Sequence, residues 1–109
     1  MREIVKHKNF LKDLKKIKRG FKESTRQRIE IRLEEAVTKL AQDNKLDQSF
    51  KDHDLYNCKT FVDCRECHIL GDLVLVYKKE DQEIKLLTLM RPGSHSEILE
   101  KLTRQSEEN

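Results

Sequence analysis

The sequence predicts an α+β domain in which a helical hairpin lies on one face of a small, mainly antiparallel sheet, in the order β-α-α-β-β-β-α. Three observations carry this. Segments 9–20 and 24–43 repeat their apolar residues with a helical period; segments 61–69, 73–77 and 84–90 are rich in Val, Ile, Leu, Phe and Tyr and divided by short polar breaks; and 109 residues is one domain's worth of chain. Hydrophobic residues make up 36% and charged residues 39%, against a usual apolar share of ~45–50% on a count that includes Gly. The core is therefore small and the surface unusually polar. A disordered polyelectrolyte has no need to group its apolar residues at regular periods, so a single folded domain over residues 1–109 is expected.

Each element has its own signal. Residues 2–7, with Ile4 and Val5, form a short first strand. Asn9 is placed to cap helix one, where Phe10, Leu11, Leu14 and Ile17 fall at helical spacing and Gly20 is a C-terminal stop. Ser24 and Gln27 have capping-box spacing, and Ile29, Leu33, Ala36, Val37, Leu40 and Ala41 form one stripe, so helix two runs to about Asp43. The short turn between them predicts an antiparallel helical hairpin. Residues 44–57 read as a loop with Leu46, Phe50, Leu55 and Tyr56 as anchors. Three strands follow as a meander, separated by Gly71-Asp72 and by residues 79–83. Pro92-Gly93 ends the third, and Ser94 with Glu97 leads into a short last helix with Ile98, Leu99 and Leu102, after which 103–109 fray. Such a layout covers one sheet face and leaves the other as a working surface.

Several function classes are excluded by composition. No apolar run approaches the ~18–20 residues that cross a bilayer, and residues 1–10 hold no apolar signal-peptide core, so a soluble, intracellular protein without membrane contact is expected. Cys58, Cys64 and Cys67 leave one thiol unpaired in any disulfide scheme, and reduced cysteines are expected. The net charge of +3 is unevenly spread: residues 1–20 hold eight Lys/Arg and two Asp/Glu, residues 21–78 ten and eleven, residues 79–109 five and seven. Helix one is thus positive, which favours approach to a polyanion without sequence preference. A solvated lysine face is the plainer account of the same residues.

Three of the four histidines fall at strand ends or in adjoining loops: His53 before the first long strand, His68 near its end, and His95 after the last. With Asp72 and Arg91 they supply what cleavage of RNA requires: a base for the 2′-OH proton, an acid for the leaving 5′-oxygen, and a cation for the phosphorane charge. Scattered, unrelated surface histidines are the competing account. Cys64-Arg65-Glu66-Cys67-His68 has the C-x-x-C-H spacing of c-type haem attachment, but that belongs to exported proteins. A zinc site from Cys64, Cys67 and His68 is disfavoured because strand residues three apart point to opposite faces. No metal or cofactor is expected.

Taken together, Lys51-Asp52-His53-x-Leu55, Arg65-Glu66-Cys67-His68-Ile69, Asp72, Leu75-Val76-Tyr77 and Arg91-x-Gly93-Ser94-His95-Ser96-Glu97 resemble the YafQ branch of the RelE superfamily of bacterial toxin-antitoxin toxins. The resemblance implies a microbial-ribonuclease-like, RelE-type fold. It implies an mRNA interferase of the bacterial cytoplasm that enters the ribosomal A site and cuts mRNA during translation, a cognate antitoxin protein, and contact with operator DNA only through that antitoxin. By motif, it assigns His95 as general acid, His53 or Asp72 as general base, Arg91 as phosphate clamp and His68 as a nucleotide-positioning residue. RNA contact is expected from Lys12, Lys15, Lys16 and Arg19 of helix one, and from Lys51 and Arg65. Leu73 and Leu99 depart from the family, standing where aromatic residues are common, so a base-stacking platform is missing. The alternative is therefore a catalytically weakened RNA-binding or antitoxin-binding module of the same fold. The small polar core suggests a marginally stable free toxin, which a bound antitoxin would offset by mass action.

Overall fold

The computed structural model describes residues 1–54 and 64–90. They form β1 (Glu3–Lys6), α1 (Lys8–Gly20), α2 (Glu23–Ala41), a 3-10 turn (Gln48–Phe50), β2 (His53–Asp54), β3 (Cys64–Leu70), β4 (Leu73–Lys79) and β5 (Glu83–Met90). The sheet order is β1-β5-β4-β3-β2. The antiparallel meander β3-β4-β5 is as predicted, while β1 adds to β5 in parallel, with Ile4 opposite Ile84. The last helix, the tail, Cys58, Leu55, Tyr56 and the expected strand start at 61–63 lie outside the described residues.

Local chemistry corrects several boundaries. α1 is capped by His7, not Asn9: the Asn9 N–H donates to His7 Nδ1 at 3.2 Å, so one of the four histidines closes a helix end. α2 starts directly after the turn, with Lys22 as an N-cap lacking a side-chain bond and Glu23 in the first turn complementing the helix dipole, so Ser24 lies inside the helix and forms no capping box. The expected loop holds two small elements. Asp47 caps the 3-10 turn through the Ser49 N–H (2.9 Å), which lets Phe50 bury completely, and His53–Asp54 pair with β3.

The helices are also less closely paired than expected. α1 packs mainly on β5 and α2 on β3. A groove of about 480 Å³ opens between them, lined by Phe10, Leu14, Leu33 and Val37 and bridged by the Lys18–Glu30 ion pair at 3.1 Å. The main core joins Phe10, the α2 stripe Ile29, Leu33, Ala36 and Leu40, Phe50, and the helix-facing strand residues Cys67, Ile69, Leu73, Leu75, Tyr77, Ile84, Leu86 and Leu89. Each Leu, Ile or Phe side chain among them contributes about 1.5–3 kcal/mol when fully buried.

The second sheet face is not bare along its whole width. Cys64, Val74, Val76, Leu87 and Met90 form a separate buried cluster there. The two strands meet it through a bulge, since Val76 pairs with Thr88 and Tyr77 with Leu86, leaving Leu87 as the extra residue. A second irregularity separates His68 from Leu70 before the turn at Gly71 (φ +53°). There the carbonyls of Ile69 and His68 are taken up by Arg32 at 2.7 and 3.3 Å, tying α2 to the end of β3.

Candidate active site

β2 and β3 bring two of the sequence-predicted residues together. His53 stands opposite Glu66 across the antiparallel ladder, and Glu66 and His68, two apart on β3, share a face. His53 Nε2 lies 3.2 Å from Glu66 Oε1, and its Nδ1 lies 2.6 Å from the Lys51 carbonyl oxygen. The His53 side chain is 47% exposed but the Glu66 side chain only 6%. A carboxylate and a carbonyl can only accept, so whichever ring nitrogen carries a proton has a partner beside it. The His68 ring sits beside it, centroid to centroid 6.2 Å and tilted by 41°. These groups lie on the sheet face opposite the helices, since His68 pairs with Val74 and Glu66 with Val76.

The residues on either side of His53 explain why so short a strand is held in place. On a strand, neighbours alternate, so Asp52 and Asp54 turn away from Glu66, and both meet Arg65. Arg65 Nη2 is 3.1 Å and Nε 3.4 Å from the two oxygens of Asp52, and Nη1 is bonded to Asp54. Arg65 Nε also donates to the Tyr77 hydroxyl at 3.3 Å, and that hydroxyl donates to Asp52. Burial works against the Arg65 charge, but the bonds to Asp52 and Tyr77 more than offset it and raise its pKa. Burial, then the bond to Asp52, raises the Tyr77 hydroxyl, which stays a donor. Arg65, expected as an RNA contact, is thus placed as a clamp on β2.

The remaining expected residues are dispersed. Asp72 is exposed in the β3–β4 turn beside Gly71. Lys12, Lys15, Lys16 and Arg19 are exposed on α1, and Lys51 is exposed with φ +47° just before His53. Arg91 and His95 lie outside the described residues. Cys64 and Cys67 fall on opposite sides of β3, one in each buried cluster, as strand alternation requires. Burial pushes the Cys67 thiol up to about 12, so it stays protonated and is a poor ligand or nucleophile. Among the described residues no group of three or more His, Cys, Asp or Glu side chains is arranged to hold a metal ion, and no helix is long and apolar enough to cross a membrane.

Sequence reasoning missed Glu66, Asp52 and Tyr77 as parts of this arrangement. Glu66 stood in the same short motif as His68, two residues away, and period-two alternation was the signal that it shares the histidine's face. Asp52 and Asp54 bracket His53 symmetrically, which is the pattern of a strand whose two faces have different tasks.

The chain is similar to known proteins over most of its length. The family described as a bacterial toxin of type II toxin-antitoxin systems, YafQ, matches residues 2–100. Among solved structures, a copper-bound mutant toxin from Helicobacter pylori is 35% identical with a TM-score of 0.70, covering 90% of this chain and 99% of that one. The Escherichia coli DinJ–YafQ complex is 24% identical with a TM-score of 0.68 (84% and 93% covered), and the Staphylococcus aureus YoeB dimer 16% identical with a TM-score of 0.61 (80% and 92%). These last two share the fold of two helices on a mixed five-stranded sheet. No curated protein sequence matches significantly. With nearly the whole chain matched, the protein belongs to the YafQ family of type II toxin-antitoxin toxins, within the RelE superfamily.

Proposed function

We propose that this toxin is a ribosome-dependent endoribonuclease that enters the A site and cuts mRNA by metal-independent general acid-base attack, inhibiting translation in the bacterial cytoplasm. The observation that carries the proposal is the His53–Glu66 pair beside His68, a polar, partly exposed constellation next to a buried apolar cluster. In the reaction the 2′-oxygen attacks the adjacent phosphorus, the bond to the 5′-oxygen breaks, and a 2′,3′-cyclic phosphate and a 5′-hydroxyl result. A base takes the 2′-OH proton and an acid protonates the leaving 5′-oxygen. Both His53 nitrogens face acceptors, which favours the exposed Asp72 as base and gives His53 the task of orienting the substrate beside His68. His68 positions the nucleotide. By resemblance, Arg91 clamps the phosphate and His95 is the acid.

The partners are the ribosome with its mRNA, and a cognate antitoxin, as in the DinJ–YafQ complex of the E. coli relative. Contact with operator DNA comes only through the antitoxin. The exposed lysines of α1 suit rRNA. A second account has one specific observation in its favour: Leu73, at a family aromatic position, is 2% exposed and packed in the main core, so it offers no stacking surface. That favours a weakened RNA-binding or antitoxin-binding module. Induced expression of wild type beside His95→Ala, read as growth together with mRNA 5′ ends, separates the two. Growth arrest with new in-frame ends in the wild type alone supports the nuclease; soluble, harmless wild type without new ends supports the module.

A further inference from the structure

A cavity of about 410 Å³ opens where α2, the 3-10 turn and the end of β3 meet, with His68 in its lining. Its lining includes Arg28, Arg32, Ser49, Lys51, His68 and Gly71, and among the described residues that line it none is acidic. Arg28 and Arg32 are one helical turn apart and therefore share a face of α2. Arg32 is fixed from every side. Its Nε donates to Ile69 O (2.7 Å), its Nη1 to Ser49 Oγ (3.0 Å) and its Nη2 to the carbonyls of Ser49 (3.4 Å) and His68 (3.3 Å), while its guanidinium carbon lies 3.7 Å over the Phe50 ring. All those acceptors are neutral, so these bonds orient the cation without cancelling its charge. Asp47 is bonded to the Ser49 N–H and hydroxyl, which hold its carboxyl below the ordinary range, with Lys39 and Arg32 adding the smallest shares. Lys51, held at φ +47° by the end of the 3-10 turn, is the third cation, and it also supplies the carbonyl that holds His53.

We propose that this pocket binds a backbone phosphate of the RNA strand outside the scissile linkage, through the exposed Arg28 and Lys51 and the one N–H that Arg32 does not spend on the protein. The inference rests on the nuclease reading for its ligand, an RNA phosphodiester. His68 joins the two places: its carbonyl is bonded to Arg32 at the pocket, while its ring stands beside His53 on the other side of β3. An Arg fixed before the ligand arrives loses little freedom on binding, which suits a site that sets the strand's register.

The test is binding of a short single-stranded 2′-O-methyl RNA, which cannot be cleaved, to wild type and to the exposed-residue variants Arg28→Ala, Lys51→Ala and their double, by fluorescence anisotropy across a salt series. The double variant is expected to bind about tenfold more weakly, with the slope of log K against log salt reduced by about 0.7, the value for one phosphate on a single strand. Unchanged melting temperatures identify the loss as local. Equal affinity and slope in all four proteins would overturn the proposal. So would weakened binding of the antitoxin with RNA binding unaltered, which makes the pocket a protein contact, or saturation of the pocket by inorganic phosphate with no RNA affinity in the wild type. If wild type fails to cut mRNA in cells while pocket-dependent RNA binding persists, the nuclease reading falls and the phosphate site stands.

Discussion

Replacing Arg65 tests whether this residue is a clamp or an RNA contact. Arg65→Met keeps most of the aliphatic stem but removes the bonds to Asp52, Asp54 and Tyr77. Hydrogen bonds to charged groups contribute about 1.5–3 kcal/mol each, but three facts lower the sum. The Asp54 side chain is 60% exposed, so its share is about 0–1 kcal/mol. The Arg65 and Asp52 side chains are 31% and 23% exposed, so water replaces part of what is lost. Asp52 and the Tyr77 hydroxyl also remain bonded to one another. The net cost is then about 2–3 kcal/mol, a large part of the roughly 5–15 kcal/mol typical of a domain, and about 10 °C in Tm. Arg65→Lys should recover less than half, because an ammonium lacks the planar fork that meets Asp52, Asp54 and the Tyr77 hydroxyl at once. Urea unfolding followed by circular dichroism measures the cost. Cleavage should fall with it, since a two-residue strand that loses its clamp no longer holds His53. An Arg65→Met protein with wild-type stability but weaker, less salt-dependent RNA binding would refute the clamp and restore Arg65 as a surface contact.

Three further outcomes follow from the geometry. Glu66→Gln keeps the shape of the buried side chain but removes its charge; kcat for mRNA cleavage should fall about 10–100-fold with KM little changed, through loss of His53 orientation, and an unaltered kcat would exclude that role. Gly71→Ala meets no atom within 4 Å of the added Cβ, yet φ +53° disfavours it; unfolding should show a loss of about 1 kcal/mol, with Gly71→Asn closer to wild type. The buried Cys67 thiol and Tyr77 hydroxyl both have folded pKa values raised above their ordinary values of 9.0 and 10.0, so their contribution is complete below about pH 9 and is lost as pH climbs toward Cys67's value of about 12. The urea midpoint should therefore fall from pH 9 upward, and less steeply in Cys67→Ala; a midpoint independent of pH there would contradict the burial argument.

Much of the fold was legible because long segments carry a clear period. The α2 stripe and the meander appear where the apolar spacing puts them, and Gly71 marks the turn. What was not legible has physical causes. A two-residue strand and a three-residue turn show no period, and His53–Asp54 become a strand only because Arg65 and Glu66 on β3 receive them. The partly covered second face was signalled but misjudged: Leu73-Val74-Leu75-Val76-Tyr77 is a continuous apolar run, the mark of a strand buried on both faces rather than one. His7 went unnoticed as a cap because imidazole is an uncommon acceptor there. At the site, His53 and His68 came from the motif, and the structure pairs them. Arg65 was taken as a surface cation on charge alone, although its place opposite Tyr77 puts it at the margin of the core. Arg91 and His95 rest on the motif.

The central claim is that the toxin cuts mRNA by internal attack of a 2′-OH, using the constellation around His53 and His68. Its most direct test is incubation of purified toxin with programmed ribosomes carrying labelled mRNA, comparing wild type with His53→Ala, His68→Ala and Asp72→Asn and identifying the product ends. The account predicts A-site cleavage by the wild type, leaving 2′,3′-cyclic phosphate and 5′-hydroxyl ends, with each variant slowed at least tenfold while remaining folded. Wild-type protein that binds the ribosome but leaves the mRNA intact, or variants that cut as fast as wild type, would contradict it.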